Sequence, residues 1–225
     1  MAGPLIFLVV VTAVFVAVIA YAIQVEKKRK AAIEAAAAEL GLRCQPHLTD
    51  HDRGMLHTFA LGQAGSSRAA QLATVADSGE LRLVVFDYQY TVGSGKNKQT
   101  RAYSVAMVIS QELDLPQFEL APENFFHRWA SWLGMQDIDF DDDPEFSRRF
   151  RLQAKEEAAV RDFFTRPRRE TLTRMGAVHV QARGRCFISF RPGKQQDGTH
   201  LRKLMEEGFA LYSIFRSPRH ADSLS

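Results

Sequence analysis

Residues Leu5 to Ile23 form nineteen consecutive positions without a charge, and Lys27-Lys28-Arg29-Lys30 follows within one helical turn. A helix of that length spans about 28 Å at ~1.5 Å per residue, close to the roughly 30 Å hydrocarbon core of a bilayer. Thirteen of the nineteen residues are Leu, Ile, Val or Phe, the types that favour insertion by about 0.3 to 0.6 kcal/mol each. The run predicts a transmembrane anchor over residues 1–25. A secretory signal peptide is the rival reading, since Ala20-Tyr21-Ala22 is a small-x-small site. Such peptides, however, carry a positive segment ahead of a shorter apolar core. Here Met1 to Pro4 has no charged side chain, and the basic cluster lies on the C-terminal flank. A Lys/Arg excess beside a span marks the cytoplasmic side. The expected topology is therefore single-pass, with the N-terminus outside and the remaining chain in the cytoplasm. Cys44 and Cys186 lie far apart in the sequence, which fits a reducing compartment; the opposite orientation would leave one disulfide open.

After the anchor, residues 26–41 are rich in Ala, Glu, Lys and Arg, good helix formers, with Gly41 placed to end the run. This predicts a helical stalk. Ile33, Ala37 and Leu40 give it only a thin apolar stripe, so a solvated spacer is favoured over a docked helix. Residues 42–216 are then expected to form one domain, with 217–225 as a polar tail.

Within that domain the clearest signal is a hairpin. Phe86, Tyr88, Tyr90 and Val92 alternate with polar residues, Tyr103, Val105, Met107 and Ile109 repeat the pattern, and Gly93 to Lys98 supplies the turn. Further strands are expected at Leu56 to Leu61, Arg68 to Val75, Phe118 to Leu120, Phe146 to Leu152, Ala177 to Ala182 and Arg185 to Arg191. Helices are expected at Phe125 to Leu133, around Val160 to Phe164, at Arg168 to Met175, and from Thr199 to Phe215. In the last of these Leu201, Leu204, Met205, Leu211, Tyr212 and Phe215 share a face. Strands grouped with helices in this way predict an α+β fold with a mostly antiparallel sheet.

Charge is unevenly placed, with 8 Lys and Arg against 15 Asp and Glu over residues 41–146, and 17 against 8 over residues 147–225. Either the two stretches neutralise each other inside one fold, or an arginine-rich surface meets an acidic protein partner or anionic lipid. Arg148, Arg149, Arg166, Arg168 and Arg169 are the candidate contacts for the second reading, with Arg151 in the same cluster. Nucleic acid is disfavoured as a partner, because no recognition motif accompanies the charge.

Three constellations bear on chemistry. Gly93-Ser94-Gly95-Lys96 lacks the upstream glycine and downstream hydroxyl of a phosphate loop and joins two strands, so it is read as a turn. The acidic run Asp137, Asp139, Asp141, Asp142, Asp143 and Glu145 offers oxygen ligands but puts Asp142 where an EF-hand needs glycine and Arg148 where it needs glutamate. Its alternation with Ile138 and Phe140 fits a solvated edge, or salt-bridge partners for Arg148 to Arg151. Cys44, His47, His51 and His57 include zinc-ligand types, at spacings looser than structural zinc sites. No nucleophile elbow, Ser-x-x-Lys or His-Glu-x-x-His motif is present. The favoured reading is a non-enzymatic, membrane-tethered binding or scaffolding module without a cofactor. The alternative is a membrane-anchored metal-dependent hydrolase built on the acidic run or the Cys/His cluster.

Phe86-Asp87-Tyr88-x-Tyr90 with Gly93-x-Gly95-Lys96, Leu115-Pro116-x-Phe118-x-Leu120-x-Pro122-Glu123, and Gln136-Asp137-Ile138-Asp139-Phe140 with Pro144-Glu145-Phe146-Ser147 resemble motifs of a family of bacterial membrane-anchored proteins. The likeness runs from about residue 80 to 191. Phe146 to Phe164 and the strands after it are similar, more loosely, to the end of a second bacterial membrane family. Neither family brings an activity or a ligand. The resemblance implies a bacterial, membrane-tethered protein with a single domain, and the expected location is the inner membrane.

Overall fold

The computed structural model describes residues 3–123, 134–190 and 198–216. The helix expected over Phe125 to Leu133 and the tail 217–225 lie outside the described residues. An α+β architecture is seen, as expected: one long N-terminal helix, then a nine-stranded sheet with helices packed on it.

Helix α1 (Gly3–Glu39) is a single unbroken element, about 55 Å long at ~1.5 Å per residue. It is long and apolar enough to cross a membrane, and Phe7, Val14, Phe15 and Tyr21 stand exposed along its first part. The second part differs from the solvated spacer expected of it. Glu26, Arg29, Lys30, Ile33, Ala36, Ala37 and Leu40 recur every three to four residues as its shielded face, and Ile33 and Ala37 are fully buried. Small alanines let this face approach closely what it packs on, so its thin apolar stripe suffices.

The sheet order is β1-β2-β3-β4-β9-β8-β5-β7-β6, from β1 (Arg43–His47), β2 (Ser66–Asp77), β3 (Leu81–Val92), β4 (Gln99–Ser110), β5 (Leu115–Pro122), β6 (Gln136–Asp137), β7 (Phe150–Ala154), β8 (His179–Gly184) and β9 (Cys186–Phe190). Every pairing is antiparallel. The β3–β4 hairpin forms as expected and pairs without a bulge, Phe86 opposite Val105 and Tyr88 opposite Tyr103.

Both faces of the central strands are covered, which is why β3 is apolar at odd and even positions alike. On one face Leu83, Val85, Ala106, Val108 and Phe187 lie under α1 and the last helix, α7 (Gly198–Phe215), whose six expected core residues are all buried. A Cβ on Gly208 of α7 would sit 3.0 Å from Leu83 Cδ1, so helix and sheet meet at a separation that only glycine fits comfortably. The same core continues under α4 (Pro144–Arg149), α5 (Glu157–Phe163) and α6 (Arg166–Met175), where Phe118, Phe146, Phe150 and Phe164 pack edge to face or tilted. On the opposite face Phe86, Tyr88, Tyr90, Tyr103, Val105, Met107 and Ile188 form a second core beneath α2 (Asp50–His57) and α3 (Ala60–Gln63).

Two expected strands are corrected. Leu56 to Leu61 belongs to the α2–α3 pair, because Thr49 caps α2 by accepting from the Asp52 amide and Asp50 and Asp52 occupy the first turn. Residues 146 to 149 of the expected Phe146–Leu152 strand are helical, since Asp143 caps α4 and Pro144 opens it; the strand starts only at Phe150.

Asp52 also fastens α2 to the sheet. It is fully buried and takes two bonds from Arg82, at 3.0 and 2.7 Å, and one from the Thr49 hydroxyl. Burial alone would raise its pKa, but Arg82 and Thr49 prevail and hold the carboxyl below the usual range. Asp52→Ala is therefore expected to cost about 2 to 3 kcal/mol near neutrality, in line with charge-assisted hydrogen bonds. A depressed carboxylate stabilises above its unfolded pKa and ceases to do so as pH falls through the folded value. The wild-type advantage, read from urea denaturation of the detergent-solubilised chain, should thus be complete above about pH 5 and shrink below about pH 4. A difference independent of pH would contradict the clamp.

Candidate functional site

Two regions around β2 combine accessible space with polar groups. The first is the junction of α1 with the sheet. Asp87, on β3, is buried; it accepts from Arg29 Nη1 on α1 in a short ion pair and from the Ser104 hydroxyl on β4. Arg29 also pairs with Glu26, one turn back on its own helix. A crevice of roughly 150 Å³ beside this junction is lined by Glu26, Arg29, Ala69, Gln71, Asp87, Tyr88 and Gln89.

The second lies on the other side of β2. A cleft of roughly 360 Å³ opens between the α2–α3 pair and the sheet, with walls that include His47, Arg53, His57, Arg68, Gln71 and Tyr88. Its form follows from the local backbone. A Cβ on Gly62 would fall 2.1 Å from the Leu56 carbonyl oxygen, so glycine lets α3 fold back against α2. Arg68 binds the carbonyl oxygens of Gln63, Ala64 and Gly65, closing the end of α3. The Tyr88 hydroxyl donates to Gly62 O at 3.3 Å, and burial pushes its pKa up to about 12 although Arg68 acts in the opposite direction. β2 itself is irregular here. Its register to β3 shifts on either side of Ala69–Gln71, and Ser67 and Leu72 take left-handed φ values of 49° and 54°, costly for residues with a side chain.

The metal constellations do not assemble. Among the described residues no three His, Cys, Asp or Glu side chains are placed to hold a metal ion. Cys44 and His47 are three apart on strand β1, so they point to opposite faces: Cys44 packs with the α1 side, and His47 and His57 line the cleft. In the acidic run, Asp137 takes two bonds from Arg151, Asp142 and Asp143 bind Arg169, and Asp143 additionally caps α4. Asp139 contributes its carbonyl oxygen to Arg161. The run is an edge segment tied by ion pairs, with Ile138 and Phe140 buried beneath it.

The candidate contact arginines divide. Arg169 is only 4% exposed, held by Asp142, Asp143 and the Phe164 carbonyl and stacked on Phe140. Arg168 is half-buried, stacked on Phe163 and bonded to the carbonyls of Phe163 and Ile214. Neither is the exposed contact expected of it; charge counting could not reveal that an acidic loop 26 residues upstream folds back onto Arg169. Arg148, Arg149 and Arg166 are exposed, the last two in one-turn pairs with Glu145 and Glu170.

One buried pair has no warning in the sequence. His179 Nε2 and Glu119 Oε1 make a short contact between β8 and β5, with Gln181 bonded to the same carboxylate oxygen. Both side chains are almost wholly shielded from solvent, which excludes direct contact with a substrate.

Together these features define an antiparallel-sheet domain docked on the continuation of a long apolar helix. No protein-family model matches the chain, and no curated protein matches it. Among solved structures, the crystal structure of the mycobacterial trehalose monomycolate transport factor A, TtfA, is similar, with a TM-score of 0.58 over 85% of this chain and 98% of that one. At 8% identity the likeness is one of fold.

Proposed function

We propose that the chain is a non-enzymatic, membrane-tethered module of a bacterial inner membrane, which holds its sheet domain at the cytoplasmic surface to bind or scaffold a partner. The observation that carries this reading is the continuity of α1, apolar and exposed at first and docked into the sheet from Arg29 onward. Arg29 lies only six positions past Ile23, about 9 Å of helix, so the domain has no free stalk and sits against the headgroup layer. Lys27, Lys28 and Lys30 at that boundary favour the cytoplasmic side. The similar fold of a transport factor supports a module serving a transport process rather than one carrying a reaction. The exposed Arg148, Arg149 and Arg166 are the contact positions for an acidic partner or anionic lipid.

The test is the side of the membrane on which the domain lies. Ser78, exposed in the β2–β3 turn, is replaced by cysteine in a Cys44→Ser background; Cys186 is buried and burial raises its thiol pKa strongly, so it stays silent. A membrane-impermeant maleimide should label Ser78→Cys only after the cells are permeabilised. Labelling in intact cells would reverse the orientation, and recovery of the chain in the soluble fraction would remove the tether.

A further inference from the structure

We propose that the cleft between the α2–α3 pair and β2 is an anion site for a phosphate-class group, supplied at the membrane surface. Its walls bring together four basic side chains, His47, Arg53, His57 and Arg68, with the Gln71 amide, and include no carboxylate. That set of donors suits the oxygens of a phosphate. The nearest acids face elsewhere. Asp52 turns to Arg82, and Asp87 and Glu26 engage Arg29 across β2. Asp50 does reach Arg53, at 3.3 Å, but its side chain is fully solvated, so this pair holds Arg53 weakly. The Arg68 guanidinium meets only carbonyl dipoles, and its charge is left to act on whatever enters.

The wall formed by Ala69–Gln71 is the segment bracketed by the two left-handed residues of β2. Backbone strain of this kind concentrates at binding sites. Height supplies the second half of the inference, which rests on the membrane reading above. Ala69, Gln71 and Tyr88 line both the cleft and the crevice that contains Glu26 and Arg29. The cleft therefore lies level with α1 residues three to six positions past Ile23, about 5 to 9 Å along the helix. The headgroup layer of one leaflet is about 5 to 8 Å deep, so a lipid phosphate is within reach of the cleft.

The test uses the full chain in nanodiscs, with an environment-sensitive fluorophore on Gly54→Cys in the Cys44→Ser background; nothing lies within 4 Å of a Cβ at Gly54. In purely zwitterionic discs, inorganic phosphate should produce a saturable response. In discs containing phosphatidic acid the response should already be present and free phosphate should add little, which identifies the headgroup as the source. A response to free phosphate with none to phosphatidic acid supports the site and assigns it a soluble ligand. The double variant Arg53→Gln/His57→Gln should weaken the phosphate response at least about tenfold, the loss of one charge-assisted hydrogen bond or more. Absence of response to either probe, or equal responses from the double variant and the parent, would overturn the site. If the tether were wrong, only the lipid arm would fail.

Discussion

Asp87→Ala is expected to undock α1 from the sheet and to destabilise the chain by about 3 kcal/mol or more, the range for removing one partner of a buried ion pair. Asp87 faces α1 and α7 from the middle of β3 and is 7% exposed. It answers Arg29 across the helix–sheet interface while holding the Ser104 hydroxyl on the neighbouring strand. Alanine takes this carboxylate from both and leaves Arg29 paired with Glu26 of its own helix, which does not tie it to the sheet. The apolar contacts of Ile33 and Ala37 stay in place, so the helix should loosen chiefly at its membrane-proximal end. Asp87→Asn keeps an acceptor for Ser104 but loses the charge, and should fall between wild type and alanine. Urea midpoints of the detergent-solubilised chain give the energetic term. Tryptic cleavage at Lys27 to Lys30 gives the local one: the basic run should be cut faster in Asp87→Ala than in the parent. Equal cleavage rates would mean that Arg29 and Asp87 do not fix the helix to the domain.

The same interface shows why the sequence is readable in some places and silent in others. The β3–β4 hairpin is legible because Phe86, Tyr88 and Tyr90 alternate with polar residues next to a glycine-rich turn, and α7 because its apolar residues recur at helical spacing and are buried as one face. β2 is legible only as a strand, expected at Arg68 to Val75; its two register shifts reset the alternation that would have told which residues face which side. The docked half of α1 is hidden for another reason: Ala37 reads equally as a helix former and as a close-contact residue, and only the sheet beneath it decides. Charge is the least legible property of all. Arg169 and Arg148 are the same residue type in the same basic stretch, yet one is buried against Asp142 and Asp143 and the other is exposed. The Cys44/His47/His51/His57 grouping fails on a local rule, because an odd spacing on a strand separates Cys44 from His47 by the thickness of the sheet.

Glu119→Ala should be among the most damaging single changes in the described structure, at about 3 to 5 kcal/mol. Glu119 is 5% exposed on β5, diagonal to His179 on β8 and directly opposite Gln181. Its Oε1 receives His179 Nε2 and Gln181 Nε2, and Gln181 Oε1 in turn accepts the Leu61 amide of α3 at 3.1 Å. The His179 ring lies on Phe190, 4.3 Å between centroids. The carboxylate thus organises a polar line that runs through an otherwise apolar sheet face and pins α3. Removing it strands buried donors that are shielded from solvent, and each such group costs about 1 to 3 kcal/mol. Removing both ends should cost less than either alone suggests, because a buried polar pair replaced by packed apolar groups is close to neutral. Glu119→Leu/His179→Phe is therefore expected to recover at least about 2 kcal/mol relative to the sum of the single changes, since the aromatic replacement keeps a ring against Phe190. Glu119→Gln, which retains an acceptor, should be milder than alanine. A double-mutant cycle in urea that came out additive would mean that the two side chains are neighbours without being partners.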